Sequence, residues 1–500
     1  MKRALSAFLA SLLLLSLLAS CAQSGTDQQT ETTPAVTDPA VTTEAETTPD
    51  PNARENAKDS LPDDLNFDGM LVHIHSFEQE KYDIIGMEEE SGDVLYDAVF
   101  HRTMSVAERL NVEIEWADSA TTKWQDFSAE LNSTILAGDD AWQIVYAMGN
   151  STIQSNRGNL FMDLSDAKYL DYSQPWWWNE AMDEVSFDGK ERKYLVGDIA
   201  LSNYLRSGCY YFNKAIYTDV FGDPDEMYKL VLDGNWNYDK LTEMSAAAYQ
   251  DVNGNGVVDD GDIYGVIVGN PEYLKHSEYG LDVQHYYRGE DGYPVFEYDL
   301  ERAQLAVEKI YNLLFNVTGN KYQAEYLKNE VFTQSNLLYF PSQILQAFSA
   351  TFREMEDDYG IIPYPKLDET QENYHNLLHN SSNYVTIPIT CQNPDEVGAV
   401  IEAMCAESYR SVVEVFYEIA LKTKYSRDSY SGQCIDLIRD ITKKNFAYEY
   451  DGQYKCGVLI SDCVRNGGGN FSSSYASSIS MANKILEKTL KQLEKEKAAG

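Results

Sequence analysis

Apolar residues recur at two periods in the first third of the body of this chain. Leu71, Val72 and Ile74 make a short apolar run, and Tyr96, Val99, Phe100, Met104, Ala107 and Leu110 then fall three or four apart, the spacing that lines one face of a helix. Val112 and Ile114 alternate with acids as a second strand, a helical pattern runs from Phe127 to Leu136, and Ile144-Val145-Tyr146 reads as a third strand. Strand, helix, strand, helix, strand predicts a parallel sheet with helices packed on its faces. In such sheets ligands sit beyond the carboxyl ends of the strands.

Further along, Asp223-Pro224-Asp225-Glu226 and Asn393-Pro394-Asp395-Glu396 each offer a cap residue, a proline for the first helical position and an acid behind it. Val397, Val400, Ile401 and Met404 follow as one apolar face, Leu300, Ala303, Val307, Ile310 and Leu314 as another, and Ser474 to Glu496 as an amphipathic C-terminal helix. Solenoid repeats are absent. A body of about 440 residues exceeds what one hydrophobic core usually serves, so two lobes are expected.

The N-terminus changes the compartment. Met1-Lys2-Arg3 precedes an apolar run to Ser20, a secretory signal too short to span a bilayer. Its end, Leu18-Ala19-Ser20-Cys21, resembles the bacterial lipobox, which implies Cys21 as the acylated N-terminus of the mature protein; a plain cleaved signal is the competing reading. Residues 22–62, rich in Thr, Pro, Ala and acids, read as a disordered tether that buries too little apolar surface to fold. With a formal charge of −41 the chain repels nucleic acid and anionic lipid, so neither is a partner. Six cysteines besides Cys21 show no metal-binding spacing, and their pairing stays open.

One motif carries clear metal chemistry. In DVNGNGVVDDGD, Asp251, Asn253, Asn255, Asp259 and Asp262 place side-chain oxygens in the order that wraps a calcium ion, Gly256 supplies the turn, and Val257 would add a backbone carbonyl. Asp262 stands where an EF-hand has glutamate, as in dockerin loops, and no second loop accompanies it; a metal-free turn is the competing reading. Neither a nucleophile elbow nor a zinc-protease or phosphate-binding motif is present, and no feature selects a catalytic pair from 80 acids.

Trp176, Trp177 and Trp178 stand side by side in QPWWWNE. Neighbours on an extended segment face opposite sides, so at most two could stack on a sugar; Trp177 and Trp178 are the candidates, with core filling as the competing role.

Taken in order, the lipobox, the Thr/Pro tether, Tyr210-Tyr211-Phe212-Asn213-Lys214, NWNYDKLTEM (Asn235 to Met244) and YGIIPYPK (Tyr359 to Lys366) resemble the carbohydrate-binding solute-binding lipoproteins of ABC transporters, family 1-like. The resemblance implies a type II periplasmic-binding-protein-like α/β fold: two lobes, each a sheet flanked by helices, with the ligand cleft between them. It places residues 63–199 and 385–430 in one lobe and 200–384 and 431–500 in the other. It further implies Ser76, Phe77, Met148, Gly149, Asn150, Asn203, Tyr204, Ser342 and Gln343 as ligand contacts, and structural Ca2+ at 251–262. The implied function is capture of an oligosaccharide for ABC permease subunits by a monomer, not an enzyme, lipid-anchored on the extracellular face of a Gram-positive-type membrane. A surface-anchored glycan-active enzyme is the alternative.

Overall fold

A computed structural model describes residues 54–499 except 88, 156–158, 326 and 418–428. The signal segment, Cys21 and most of the tether therefore lie outside the described residues.

The helix Val94–Leu110 shows how the first lobe is set. The Asp93 side chain accepts from the Leu95 and Tyr96 N–H groups, Leu95, Val99, Val106 and Leu110 are buried on one face, and Asn111 ends the helix in the left-handed region at φ 48°. The strands on either side, Met70–Ser76 and Val112–Asp118, pair in parallel with Val72 opposite Ile114. Met70–Ser76 also pairs in parallel with Ile144–Met148, which in turn takes Asn383–Thr386 as an antiparallel neighbour. The sheet order is thus 383–386, 144–148, 70–76, 112–118. Helix Pro394–Glu407, with Pro394 in its first turn, packs against Val94–Leu110.

A second sheet has the order Tyr359–Ile362, Gly208–Asn213, Leu337–Gln343, Tyr264–Gly269, Asn320–Gln323. Its two pairings with Gly208–Asn213 are antiparallel and the others parallel. All six residues of Gly208–Asn213 are buried, as expected of a strand with a neighbour on each edge and a covered face on each side. Asn213 then caps the helix Lys214–Phe221 by accepting from the Ile216 N–H. The two sheets are joined through Ser202–Leu205 and through residues 378–383, where Asn383 N–H donates to Ser202 Oγ at 2.9 Å.

The segment read as tether to residue 62 is docked from Arg54 onward. Leu61 is buried, Arg109 Nη1 reaches Asp59 at 2.6 Å, and the Arg54 guanidinium lies 4.1 Å from the centre of the Tyr409 ring. One apolar anchor and these charged contacts are what composition alone did not register.

Candidate ligand seam between the sheets

Carboxyl ends of the strands meet across a narrow seam. From the first sheet, Ile144–Met148 runs into Gly149 and Asn150, whose N–H groups donate to the carbonyls of Ser382 (2.9 Å) and Asn380 (3.2 Å). Gly149 is required there: a Cβ would stand 2.7 Å from the Tyr384 ring. From the second sheet, Tyr264–Gly269 runs into Asn270, at φ 73°, whose side chain accepts from the Glu272 N–H and opens the helix Pro271–Tyr279. That helix delivers Glu272, Lys275 and His276 to the seam.

Together with Met148, Asn150, His379, Tyr448 and Glu449, Glu272 and Lys275 line a cavity of ≈ 340 Å³. Lys275 Nζ pairs with Glu272 at 2.5 Å, Tyr448 donates its hydroxyl to Glu272 at 3.1 Å, and Lys444 Nζ pairs with Glu449 at 2.9 Å. The His276 and His379 rings stack with centroids 5.3 Å apart. Burial, then the Arg206 charge, pushes the His379 imidazole down to about 3, and burial also holds His276 well below its usual value, so both rings are neutral near pH 7.

Deeper in, Glu80 is 5% exposed, and neither of its oxygens has a partner in hydrogen-bond geometry, although the Phe77 N–H and the Asn383 side chain lie close enough to favour its charge. Burial, reinforced by Asp83, raises its carboxyl to about 8, while Arg206 opposes the rise. Arg206 Nη1 donates to Gln343 Oε1 at 3.4 Å, and its carbonyl accepts from His379 N–H at 3.2 Å. Asn203 Oδ1, Asn383 Oδ1, Ser342 Oγ and both His276 nitrogens are likewise buried without a partner. Buried polar groups in folded proteins are nearly always satisfied.

No family model matches the sequence, and no curated protein matches it. Solved structures do. UgpB of Mycobacterium tuberculosis, crystallised with glycerophosphocholine, aligns over 84% of this chain and 99% of its own at 14% identity, with a TM-score of 0.55. The ABC substrate-binding protein Lmo0181 of Listeria monocytogenes, in complex with cycloalternan, covers 84% of this chain and 100% of its own at 12% identity and TM-score 0.53. The sugar-binding protein MalE of Xanthomonas citri covers 85% and 99% at 11% identity and TM-score 0.54. The fold is that of the ABC-transporter solute-binding proteins.

Within this solute-binding fold the residues expected as contacts divide. Met148 and Asn150 line the seam cavity, Gly149 lies at its edge, and Asn203, Ser342 and Gln343 are buried beside Arg206 and Asn383. Ser76 and Phe77 instead belong to the core of the first lobe: Ser76 Oγ accepts from Trp116 Nε1 at 3.0 Å, and the Phe77 ring packs 4.5 Å from that of Phe127.

The tryptophans lie elsewhere. Trp176 and Trp177 are 0% and 4% exposed and donate their indole N–H groups to the two oxygens of Glu402, at 3.1 and 3.0 Å. Burial lifts that carboxyl to about 7 against the pull of the indoles. Trp178 donates to Asp198 Oδ1 at 2.8 Å, and Tyr204 donates to the same oxygen. Trp177, Trp178 and Tyr204 border a separate groove of ≈ 1070 Å³, which shares no lining residue with the seam cavity.

In the loop 251–262, the Gly254 and Gly256 N–H groups donate to Asp251, and the Asn253 and Asn255 amides donate to Asp259 at 2.6–3.2 Å. Asp262 is buried and accepts from Tyr249 OH, Val252 N–H and Asp259 N–H. Asp251 and Asp259 thus take up donors of the loop itself, and the Asn253 and Asn255 amides meet Asp259 with their nitrogens. Asp262 keeps only the lone pairs its three donors leave. No three His, Cys, Asp or Glu among the described residues cluster closely enough to hold a metal by themselves, so a cation would depend on the Asn oxygens and the Val257 carbonyl.

Glu80, Arg206, Glu272, His276, His379 and Asn383 were not among the expected contacts. Only Asn270-Pro271-Glu272, a helix start directly behind an apolar strand, carried a sequence signal for any of them.

Proposed function

We propose that this chain is an extracellular solute-binding protein that captures an oligosaccharide in the seam between its sheets and delivers it to an ABC permease. The supporting observation is the group of buried, unpartnered polar side chains around the joint between the two sheets: Glu80, Asn203, His276, Ser342 and Asn383. Sugars satisfy such groups many at a time. Two of the structural neighbours carry a cyclic oligosaccharide or the description sugar-binding, which favours this ligand class over others the fold accepts. Opening and closing about Ser202–Leu205 and residues 378–383 would admit and enclose the ligand. Gly149, Asn150, Ser342 and Gln343 are then ligand neighbours, while Trp177 is held by Glu402 and Trp178 by Asp198.

The finer reading adds a lipid anchor at Cys21, holding a monomeric body on the outer face of the membrane of a Gram-positive-type cell. No helix of the described residues is long and apolar enough to cross a membrane. In the loop 251–262, Asp251, Asn253, Asn255, Val257, Asp259 and Asp262 would hold Ca2+ in a structural role. Incubation with labelled oligosaccharides, followed by product analysis, tests the carrier reading: a carrier returns each bound glycan intact, whereas shortened or transferred products would make the chain an enzyme.

A further inference from the structure

A hairpin on the second sheet's side of the molecule reaches across to the first. Tyr286–Arg288 and Pro294–Phe296 pair antiparallel, with Tyr287 opposite Val295, and follow the helix Pro271–Tyr279 in the chain. Facing them is the end of helix Asn179–Val185, which belongs with the first sheet: Trp176 and Trp177 ahead of it are held by Glu402, and Leu195 behind it bridges to Val385. Arg288 Nη2 donates to the carbonyls of Asp183 (2.7 Å) and Ser186 (2.8 Å), and Nη1 donates to those of Phe187 (2.9 Å) and, in its own hairpin, Gly292 (3.0 Å). Carbonyls at a helix C-terminus lack partners within the helix, and the helix dipole favours a cation there. Tyr286 donates its hydroxyl to Glu184 Oε2 at 2.5 Å. The hairpin tip closes down on the same segment. The Tyr293 and Phe187 rings lie 5.8 Å apart, and a Cβ at Gly292, whose φ is 85°, would stand 2.7 Å from the Asp188 carbonyl oxygen.

We propose that this hairpin is a clasp, which ties the two lobes together in the arrangement of this structure and restrains their rotation about the joint. Its position gives it leverage. Two cavities flank the connecting segment: Asn376 and Leu377 line the large groove, whereas His379 and Ser381 line the seam cavity. Glu184, Tyr286 and Arg288 line the groove as well, so the clasp lies across the joint from the seam. Bonds made away from an axis of rotation change length when the lobes turn in either sense, while the bond from Asn383 to Ser202 at the joint moves little. A planar guanidinium held by several fixed carbonyls has little slack to absorb such a change. The neighbouring Lys443–Glu180 pair, at 2.9 Å, is exposed at both ends and adds little. The inference takes the rotation of the lobes from the carrier reading and owes nothing to the ligand class.

Single-molecule energy transfer on the ligand-free full-length chain tests it. Dyes are attached through non-natural amino acids at two exposed positions, Ser105 on helix Val94–Leu110 and Glu308 on helix Leu300–Tyr311. The wild type should give one narrow distribution. Arg288→Met keeps the apolar stem and removes the fork; it should raise the population outside that peak at least about tenfold, the factor that one net hydrogen bond to a charged group supports. A cooperative melt shows that its fold is intact. Arg288→Lys keeps the charge but cannot span the carbonyls, and should change the distribution in the same direction. Arg192→Met is the control: it removes an arginine that pairs with Asp183 at 2.6 Å within the first lobe, and it should leave the distribution as in the wild type. A wild-type distribution in both Arg288 variants, equal broadening in Arg192→Met, or a broad distribution already in the wild type overturns the clasp. If Arg288→Met does not fold, Arg288→Lys decides alone. Because no ligand is present, a failed clasp leaves the carrier reading standing, and a chain that binds no sugar leaves the clasp standing.

Discussion

The indole of Trp177 donates to Glu402 Oε2 at 3.0 Å across 225 residues of chain. With Trp176 on the other oxygen, this contact ties the segment before helix Asn179–Val185 to helix Pro394–Glu407 and commits both rings to the interior.

Truncation of Trp177 to Ala should therefore cost about 3–5 kcal/mol of stability, the range for large aromatic side chains removed from a core. Sugar affinity in the folded fraction should not change. Denaturant melts and titrations on the same preparation separate the two effects, and an affinity loss without destabilisation would return Trp177 to the ligand.

Glu80 gives a pH signature. Its folded-state pKa of about 8 lies above the ordinary 4.5, so the stability it contributes is complete below about 4.5 and is lost as pH rises through about 8. Groups bearing on it are Asp83, itself raised to about 6 by burial, the Arg206 guanidinium, the Phe77 N–H and the Asn383 side chain. Glu80→Gln should accordingly melt above the wild type at pH 8, with the difference shrinking toward pH 5. A difference that does not depend on pH would mean that Glu80 titrates normally.

Chelation of calcium should lower the melting temperature, because an ion bound only by the native state adds about 2.7 kcal/mol at a hundredfold excess over its Kd. Sugar affinity should stay nearly constant, since the loop 251–262 contributes no residue to the seam cavity. An unchanged melting point after thorough removal of calcium would leave the loop a metal-free turn.

Replacing Cys21 with Ala should release the protein into the medium or stall its processing. Membrane fractionation of the variant decides this; continued detergent-sensitive membrane association would contradict acylation at Cys21.

Much of the fold was legible from periodicity. Strands at Leu71–Ile74, Val112–Ile114 and Ile144–Tyr146 and the helix faces between them could be read because burial on one side leaves a repeat of two or of about 3.6. The site was less legible, because its groups carry no local pattern. Glu80 is one acid among 80, and only the fold places it against Arg206, 126 positions later, and Asn383. The QPWWWNE segment posed the opposite problem. Its composition suits a sugar platform, yet Trp176 and Trp177 are held by Glu402, a partner that local sequence does not reveal, while Trp178 borders the groove. Ser76 and Phe77 stand at the right strand end, but Trp116 and Phe127 claim them for the core.

Mass spectrometry of freshly purified protein shows directly whether an oligosaccharide occupies the seam. Under native conditions with a neutral oligosaccharide, one sugar per chain is expected, released intact on denaturation, with lower occupancy in Glu80→Gln at ligand concentrations near the wild-type Kd. Binding that persists undiminished in Glu80→Gln but disappears in Trp178→Ala would contradict it, because the sugar would then lie in the groove bordered by Trp177, Trp178 and Tyr204.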